Sequence, residues 1–297
     1  DNLFCKSSAA MGDLYGLRNA LYLGNYQQAV SEAMSLGAST ERDFFMYRAL
    51  IEQGQHRVVM DEVGAQAPVA LQAVKMLASY LSGVSKEAVV AQLKEWLTDA
   101  TAQDNWQLIL VAATVFLHER DHKEALKISH QSTQIDVMAL VVQIYLQMDR
   151  PDLARKLVKS MQEQYDDDTL TKLSHAWTSL CESGGETAQD ALYEFQELGE
   201  KYHMSLMLLN AMASCNMHMG RFDEAERLLQ EALSQSPNDT TSLINLVVCL
   251  NQLQKPAEVI GRYTSQLKIS APAHPWVAKY GELETSFDRC ANQLSKE

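Results

Sequence analysis

Hydrophobic and polar positions along this chain follow a helical rhythm. Sustained Val/Ile/Thr alternation, the mark of a half-buried strand, is absent, so a sheet has little support. The stretch LNAMASCNMHMGRFDEAERLLQEALSQSPND, residues 209 to 239, shows the pattern most clearly. Gly220 ends a first helix without steric penalty, and Pro237 stops a second. Between them, Ala225 and Ala232 are small enough to let the two helices approach, and Leu229 fills their interface. Phe222 sits in the turn. The stretch predicts two helices joined by a tight turn.

The same pattern returns along the chain. The position of Ala225 is matched at Ala29, Val59, Ala88, Ala125, Ala154, Ala191 and Val259, at successive spacings of 30, 29, 37, 29, 37, 34 and 34 residues. The first copy is LYLGNYQQA, with Gly24 and Tyr26 in its turn. Others read EQGQHRVV, SGVSKEAV, ERDHKEAL, MDRPDLAR and KPAEV, and the Ala191 copy follows a longer Gly184-Gly185 turn. A period near 34 residues with these turn and helix positions is that of a tetratricopeptide array, in which each helix pair buries a face only against the next. The expected fold is all-α: a tetratricopeptide-like α-solenoid of about eight helix pairs with a C-terminal capping helix. Residues 1–12 form a tail, 13–269 the solenoid and 270–297 the cap. In the cap, Trp276, Val277, Tyr280, Leu283, Phe287 and Leu294 recur at helical spacing after Pro272 and Pro275. Cys181, Cys215 and Cys249 are separated by 34 and 34 residues, which predicts one equivalent, buried position in three first helices.

Composition narrows the function. Gly (13) and Pro (6) are scarce in 297 residues, which disfavours many tight hairpins. A formal net charge of -13, with no basic stripe, repels phosphate backbones and anionic headgroups. Nucleic-acid binding is not expected, and any membrane role runs through a partner. The longest apolar run, Leu108 to Leu117, is too short to span a bilayer. The first residues lack a signal peptide's apolar stretch, and since Asp1 is no initiator, others can precede it. Five cysteines at wide separations make a disulfide framework improbable, and a cytosolic location fits.

One motif carries chemistry on its face. His118, Glu119 and His122 match H-E-x-x-H, which on one continuous helix presents two imidazoles to zinc and a carboxylate as base. In the repeat register His118 ends one helix and His122 begins the next, in the turn position of Tyr26 and Phe222. Ala125 and Ile128 stand where the extended protease motif needs Gly and His, so no zinc site is expected. Nucleotide-binding glycine loops and the G-x-S-x-G elbow are missing. Asp166-Asp167-Asp168 reads as the acidic flank of a helix N-terminus. The methionines of Met204 to Met219 read as packing. No catalytic, metal or cofactor-binding residue is expected.

A binding surface is. In this register, positions 2, 5, 9, 12 and 13 of each first helix face the inner groove of the array. They include Leu77 and Tyr80 in the third repeat, Leu110 and Leu117 in the fourth, Leu173, Ala176 and Leu180 in the sixth, and Met207, Asn210, Ser214 and Met217 in the seventh. A groove of this character suits a long, partly apolar partner segment. The competing reading is that several of them pack against a neighbouring helix or the solenoid's own far end. A co-chaperone adaptor that grips carboxylate tails would need several inner cations, and the candidates are chiefly Arg18 and Arg48.

The wording of several segments adds to this. NALYLGNYQQAV, ERDFFMYRA, LQAVKMLASYL, DLARKLVKSMQ, LLQEAL, LINLVV, RYTSQLK and HPWVAKY, taken in order over nearly the whole chain, resemble the epsilon subunits of coatomer, the COPI vesicle coat. The stretch from Cys5 to Met11 departs from that family. The resemblance implies a solenoid without catalytic activity or cofactor. It implies binding to the C-terminal domain of the alpha coatomer subunit, stabilising it among the other coatomer subunits. It also implies a place in Golgi-to-ER retrograde and intra-Golgi transport. The location implied is cytoplasmic, peripheral on Golgi membranes and vesicles through the coat, with recruitment left to other subunits and a small GTPase.

Overall fold

A computed structural model of the chain describes residues 14–98, 104–182 and 185–294. The tail, including Cys5 to Met11, lies outside the described residues, as do Gly184 and the side chain of Leu294. Among the described residues there are seventeen helices and no strand. The chain divides into two compact units at Ser205 and Leu206. The first holds six helix pairs: α1 (Tyr15–Tyr22) with α2 (Tyr26–Ser35), α3 (Thr40–Glu52) with α4 (His56–Glu62), and α5 (Val69–Leu81) with α6 (Lys86–Trp96). There follow α7 (Trp106–His118) with α8 (His122–Ser129), α9 (Ile135–Gln147) with α10 (Pro151–Tyr165), and α11 (Thr169–Cys181) with α12 (Gly185–Tyr202). The second unit holds α13 (Leu206–His218) with α14 (Phe222–Gln235), α15 (Thr240–Gln252) with α16 (Ala257–Ser270), and α17 (Pro275–Leu294). The expected eight pairs and terminal helix are therefore present.

The turns within pairs repeat one device. Gly24, Gly54, Gly83 and Gly220 take φ between +74° and +82°, so the chain reverses at no Cβ cost. Arg120, Asp149 and Gln254 fill the same slot at φ +60°, +57° and +52°, where an L side chain is strained. Behind all of these but Gly83, the amide of the next residue bonds back into the first helix, as Asn25 to the Ala20 carbonyl (2.8 Å) and Asp121 to that of Phe116 (2.9 Å). Side chains cap helix starts: Asn105 accepts from the Leu108 amide, Asp168 from Leu170 and Asp239 from Ser242. Asp168 thus acts as the helix flank expected of the triple-Asp run.

Two details of the repeat register differ from expectation. In the third pair the buried anchor is Val89, and Ala88 is exposed. The turn there is one residue longer, absorbed by Ser85 at φ +61°. In the sixth pair α11 begins at Thr169, three residues earlier than counting back from Ala191 gives, because α12 starts at Gly185, six residues before Ala191. The turn is no longer than the others, Gly185 belongs to the helix, and buried Ala188 takes the fourth place that Ala225 takes in α14. Counted from its helix start, Cys181 is therefore the thirteenth residue, while Cys215 and Cys249 are each the tenth of theirs. Cys181 is exposed; the other two are buried. The equal cysteine spacing marks one shared position in two repeats, not three.

The run Leu108 to Leu117 owes its hydrophobicity to its place. It lies in α7, whose residues from Gln107 to Ala113 are all buried in the largest apolar cluster, with Val115 and Phe116. In the second unit, Val277 and Trp276 at the start of α17 pack with Leu243 and Leu267. Farther along, Tyr280 is half-buried and Glu284 pairs with Lys268 at 2.6 Å, whereas Leu283 and Phe287 are 62% and 73% exposed, so only the first half of this helix covers the array.

Candidate partner-binding surface

The H-E-x-x-H residues separate as the repeat predicts. His118 closes α7 and His122 opens α8, with Arg120 in the left-handed region between them. The imidazoles do not share a helix. His118 faces the ring of Tyr80 (6.1 Å between centroids), and Glu119 accepts a 2.5 Å hydrogen bond from the Tyr80 hydroxyl. Burial, then that bond to a carboxylate, pushes the Tyr80 phenol up to about 12.

The inner-helix residues fall into two classes. Leu77, Tyr80, Leu110, Leu173, Ala176 and Leu180 are buried within the first unit, and Tyr80 is only 3% exposed. Leu117 is half-buried. Counting from the start of α11, Ala176 is the eighth residue; Leu170 and Trp177 take the second and ninth places. Trp177, half-buried and packed edge-on to Phe195 at 5.1 Å, is an inner candidate that counting from Ala191 missed. In the second unit Met207, Ser214 and Met217 are half-buried along α13, and Asn210 is buried. The Asn210 amide is already engaged. Its Nδ2 donates to the Leu206 carbonyl (3.0 Å) and to Ser242 Oγ (2.8 Å), and its Oδ1 accepts from Asn245 (3.2 Å). Ser242 Oγ in turn donates to Asp239 (2.7 Å). This ladder ties α13 to α15.

A polar junction crosses the inner face of the first unit. Arg18 on α1 pairs with Asp136 on α9 at 3.1 Å, with side-chain exposures of 17% and 4%. The Tyr22 hydroxyl donates to the other oxygen of Asp136. Arg18 is the ninth and Asp136 the second residue of an inner helix in repeat register, so the facing walls of repeats one and five touch. Burial opposes the charge on Arg18 most strongly, but Asp136, with Asp168 and Glu41 adding to it, outweighs burial and holds the guanidinium above its usual range. Burial raises the Tyr22 phenol, with Asp136 adding to the effect. Burial also raises the Asp168 carboxyl, against the pull of Arg18. Arg48 lies over the rings of Tyr22 (5.6 Å) and Phe44 (5.8 Å). Asp136 was not anticipated; its signal was an acid at a groove position of an otherwise apolar helix.

The comparisons agree with this architecture. A family model described as coatomer epsilon subunit matches residues 10–295. The chain belongs to the coatomer epsilon subunit family. It is 44% identical over 286 residues to coatomer subunit epsilon-1 of Oryza sativa subsp. japonica, covering 95% of this chain and 98% of that protein. With coatomer subunit epsilon-1 of Arabidopsis thaliana the identity is 42%, over 97% and 99% of the two chains. With coatomer subunit epsilon of Dictyostelium discoideum it is 33%, over 93% and 96%. Among solved structures, the chain resembles one in the APC/C hetero-tetramer Cut9-Hcn1, with a TM-score of 0.61 at 14% identity, covering 87% of this chain and 52% of that one. A tetratricopeptide repeat protein from Parabacteroides merdae gives 0.60 at 10% identity, over 91% and 96%. Those two likenesses speak to the fold alone. The family consists of structural subunits of the COPI vesicle coat and not of enzymes, so the protein is a coat component that associates with other coatomer subunits. Among the described residues no helix is long and apolar enough to cross a membrane.

Proposed function

We propose that the protein serves the COPI coat by holding and stabilising the C-terminal domain of the alpha coatomer subunit. In this reading its inner helices supply the grip. It supports Golgi-to-ER retrograde and intra-Golgi transport from the cytoplasmic surface of Golgi membranes and vesicles. The observation that carries the reading is the stripe on α13. Met207, Ser214 and Met217 stand at helical spacing and remain half-buried, so they offer apolar and small side chains to a partner. Leu117 offers another in the first unit. In this reading the buried members support the open ones within each unit, Leu77, Tyr80, Leu110, Leu173, Ala176 and Leu180 in the first and Asn210 in the second. An adaptor for carboxylate tails has less in its favour, because Arg18 is committed to Asp136.

The test is Met207→Asp with Met217→Asp in the full chain, with helicity checked by circular dichroism. Affinity for the isolated alpha C-terminal domain, measured by titration calorimetry, should fall at least tenfold, about 1.4 kcal/mol. Unchanged affinity removes the stripe from the interface. Loss of helicity in this pair shifts the test to Leu117→Asp, read in the same way.

A further inference from the structure

The junction of repeat one with repeats five and six is more polar than the apolar faces around it. Elsewhere in the first unit, neighbouring helices meet through continuous apolar faces, such as that of α7. Here residues 118 apart meet through a buried ion pair, and a tyrosine hydroxyl shares the same carboxylate. At its exposed margin the Tyr15 and Tyr202 hydroxyls bond at 2.6 Å, and Asn25 Nδ2 reaches the Tyr202 carbonyl at 3.4 Å. The apolar share includes the ring of Tyr22, which lies against a cluster containing Ile135, Met138 and Val142 and, from repeat six, Leu170. Such an interface has little net bias towards closure, because desolvating a buried ion pair offsets most of its attraction. The closed form also leaves Arg18 Nε buried without a hydrogen-bond partner, a cost that water relieves on opening. On their other sides both elements are well anchored. Leu17 and Leu21 of α1 are buried in the largest cluster, and so are Val137 and Ile144 of α9.

We propose that Arg18, Tyr22 and Asp136 form a clasp that holds the first unit closed on itself and opens while the repeats stay folded. Closing places inner residues of repeats one and five in contact; opening presents their polar atoms to solvent or to an entering chain. The inference stands on the geometry alone and does not depend on which partner is bound.

The two states are told apart by a distance across the clasp. In the full chain, with Cys5, Cys181 and Cys290 changed to Ser, spin labels at Ser31→Cys and Lys156→Cys report from exposed positions on α2 and α10. Electron–electron double resonance should give a dominant short distance in this background. Asp136→Ala or Arg18→Ala leaves one charge unpaired and should move most of the population to longer, broader distances, with helicity retained. The apolar pair Arg18→Met with Asp136→Leu removes both charges and should restore the short distance. An unaltered distribution in both single variants overturns the proposal. So does cooperative loss of helicity with the pair, which would make the contact part of the global fold. If the single variants yield no soluble protein, Tyr22→Phe decides: a smaller shift the same way supports the clasp, and no shift overturns it.

Discussion

The two units handle their apolar surface differently. The first gathers most of it into shared clusters, with Met34, Val84 and Tyr193 left in solvent. Its first four pairs and α9 share one large cluster around α7, a second cluster joins α9, α10 and Leu170 of α11, and even the inner positions of repeats one and five close on each other through Arg18 and Asp136. The second has two pairs and a terminal helix. It keeps Met207 and Met217 half-open on α13 and leaves Leu283 and Phe287 in solvent on α17. An array buries the face of each pair against the next, so its ends and inner groove are where unfilled surface collects. The contrast teaches that closure of the array on itself belongs to the first unit, whereas the second carries a run of half-open positions on one inner helix.

That contrast can be tested, starting with the largest effect. Phe116→Ala, in the densest part of the first unit, should cost about 3–5 kcal/mol of stability in denaturant titration. A loss below about 1 kcal/mol would mean the cluster is not the unit's foundation. A turn change in the second unit should act at middling strength. Gly220→Val places a branched side chain at φ +74° and should cost about 1–2 kcal/mol, read as a lowered midpoint of thermal unfolding. The natural exception, Gln254, offers the reverse substitution. Gln254→Gly relieves that strain but adds unfolded-state freedom of about 0.5–1 kcal/mol, so the midpoint should barely move.

A smaller effect belongs to His175, which joins α11 to α12 through a 2.6 Å contact with Glu194. The hydrogen bond to that carboxylate raises the imidazole pKa above 6.5 despite partial burial. A raised folded-state pKa means the contribution to stability is complete below the unfolded value and disappears as pH climbs through the folded one. NMR titration of His175 should therefore give a midpoint above 6.5, returning towards it in Glu194→Gln. The smallest change of all is expected from Phe287→Ser. With the ring in solvent, stability should stay within about 0.5 kcal/mol. A large loss would show that the outer half of α17 is packed after all.

How much was readable beforehand depended on the range of the interaction. The turn glycines, the alanines of the second helices and the Pro237 stop act over a few residues, so their spacing revealed the pairs directly. The same local rule explains why the two histidines of H-E-x-x-H stand on different helices, since a left-handed Arg120 lies between them. Errors arose where residues were added between the anchors of a pair. One extra residue near Ser85 moved the anchor to Val89, and an added first turn on α12 shifted the frame that singled out Ala176 over Trp177. Periodicity reports an average, and such an insertion alters the local register without disturbing it.

By itself, then, the order of residues determined an all-helical array of eight pairs, the sites of its turns and the family to which the chain belongs. Tertiary structure alone decided which inner residues are already covered by the chain's own packing and which remain open. It also decided that Arg18 meets Asp136 across 118 residues. The reason is physical: turn and helix signals are local, whereas contact between distant repeats depends on small rotations summed over every pair that separates them.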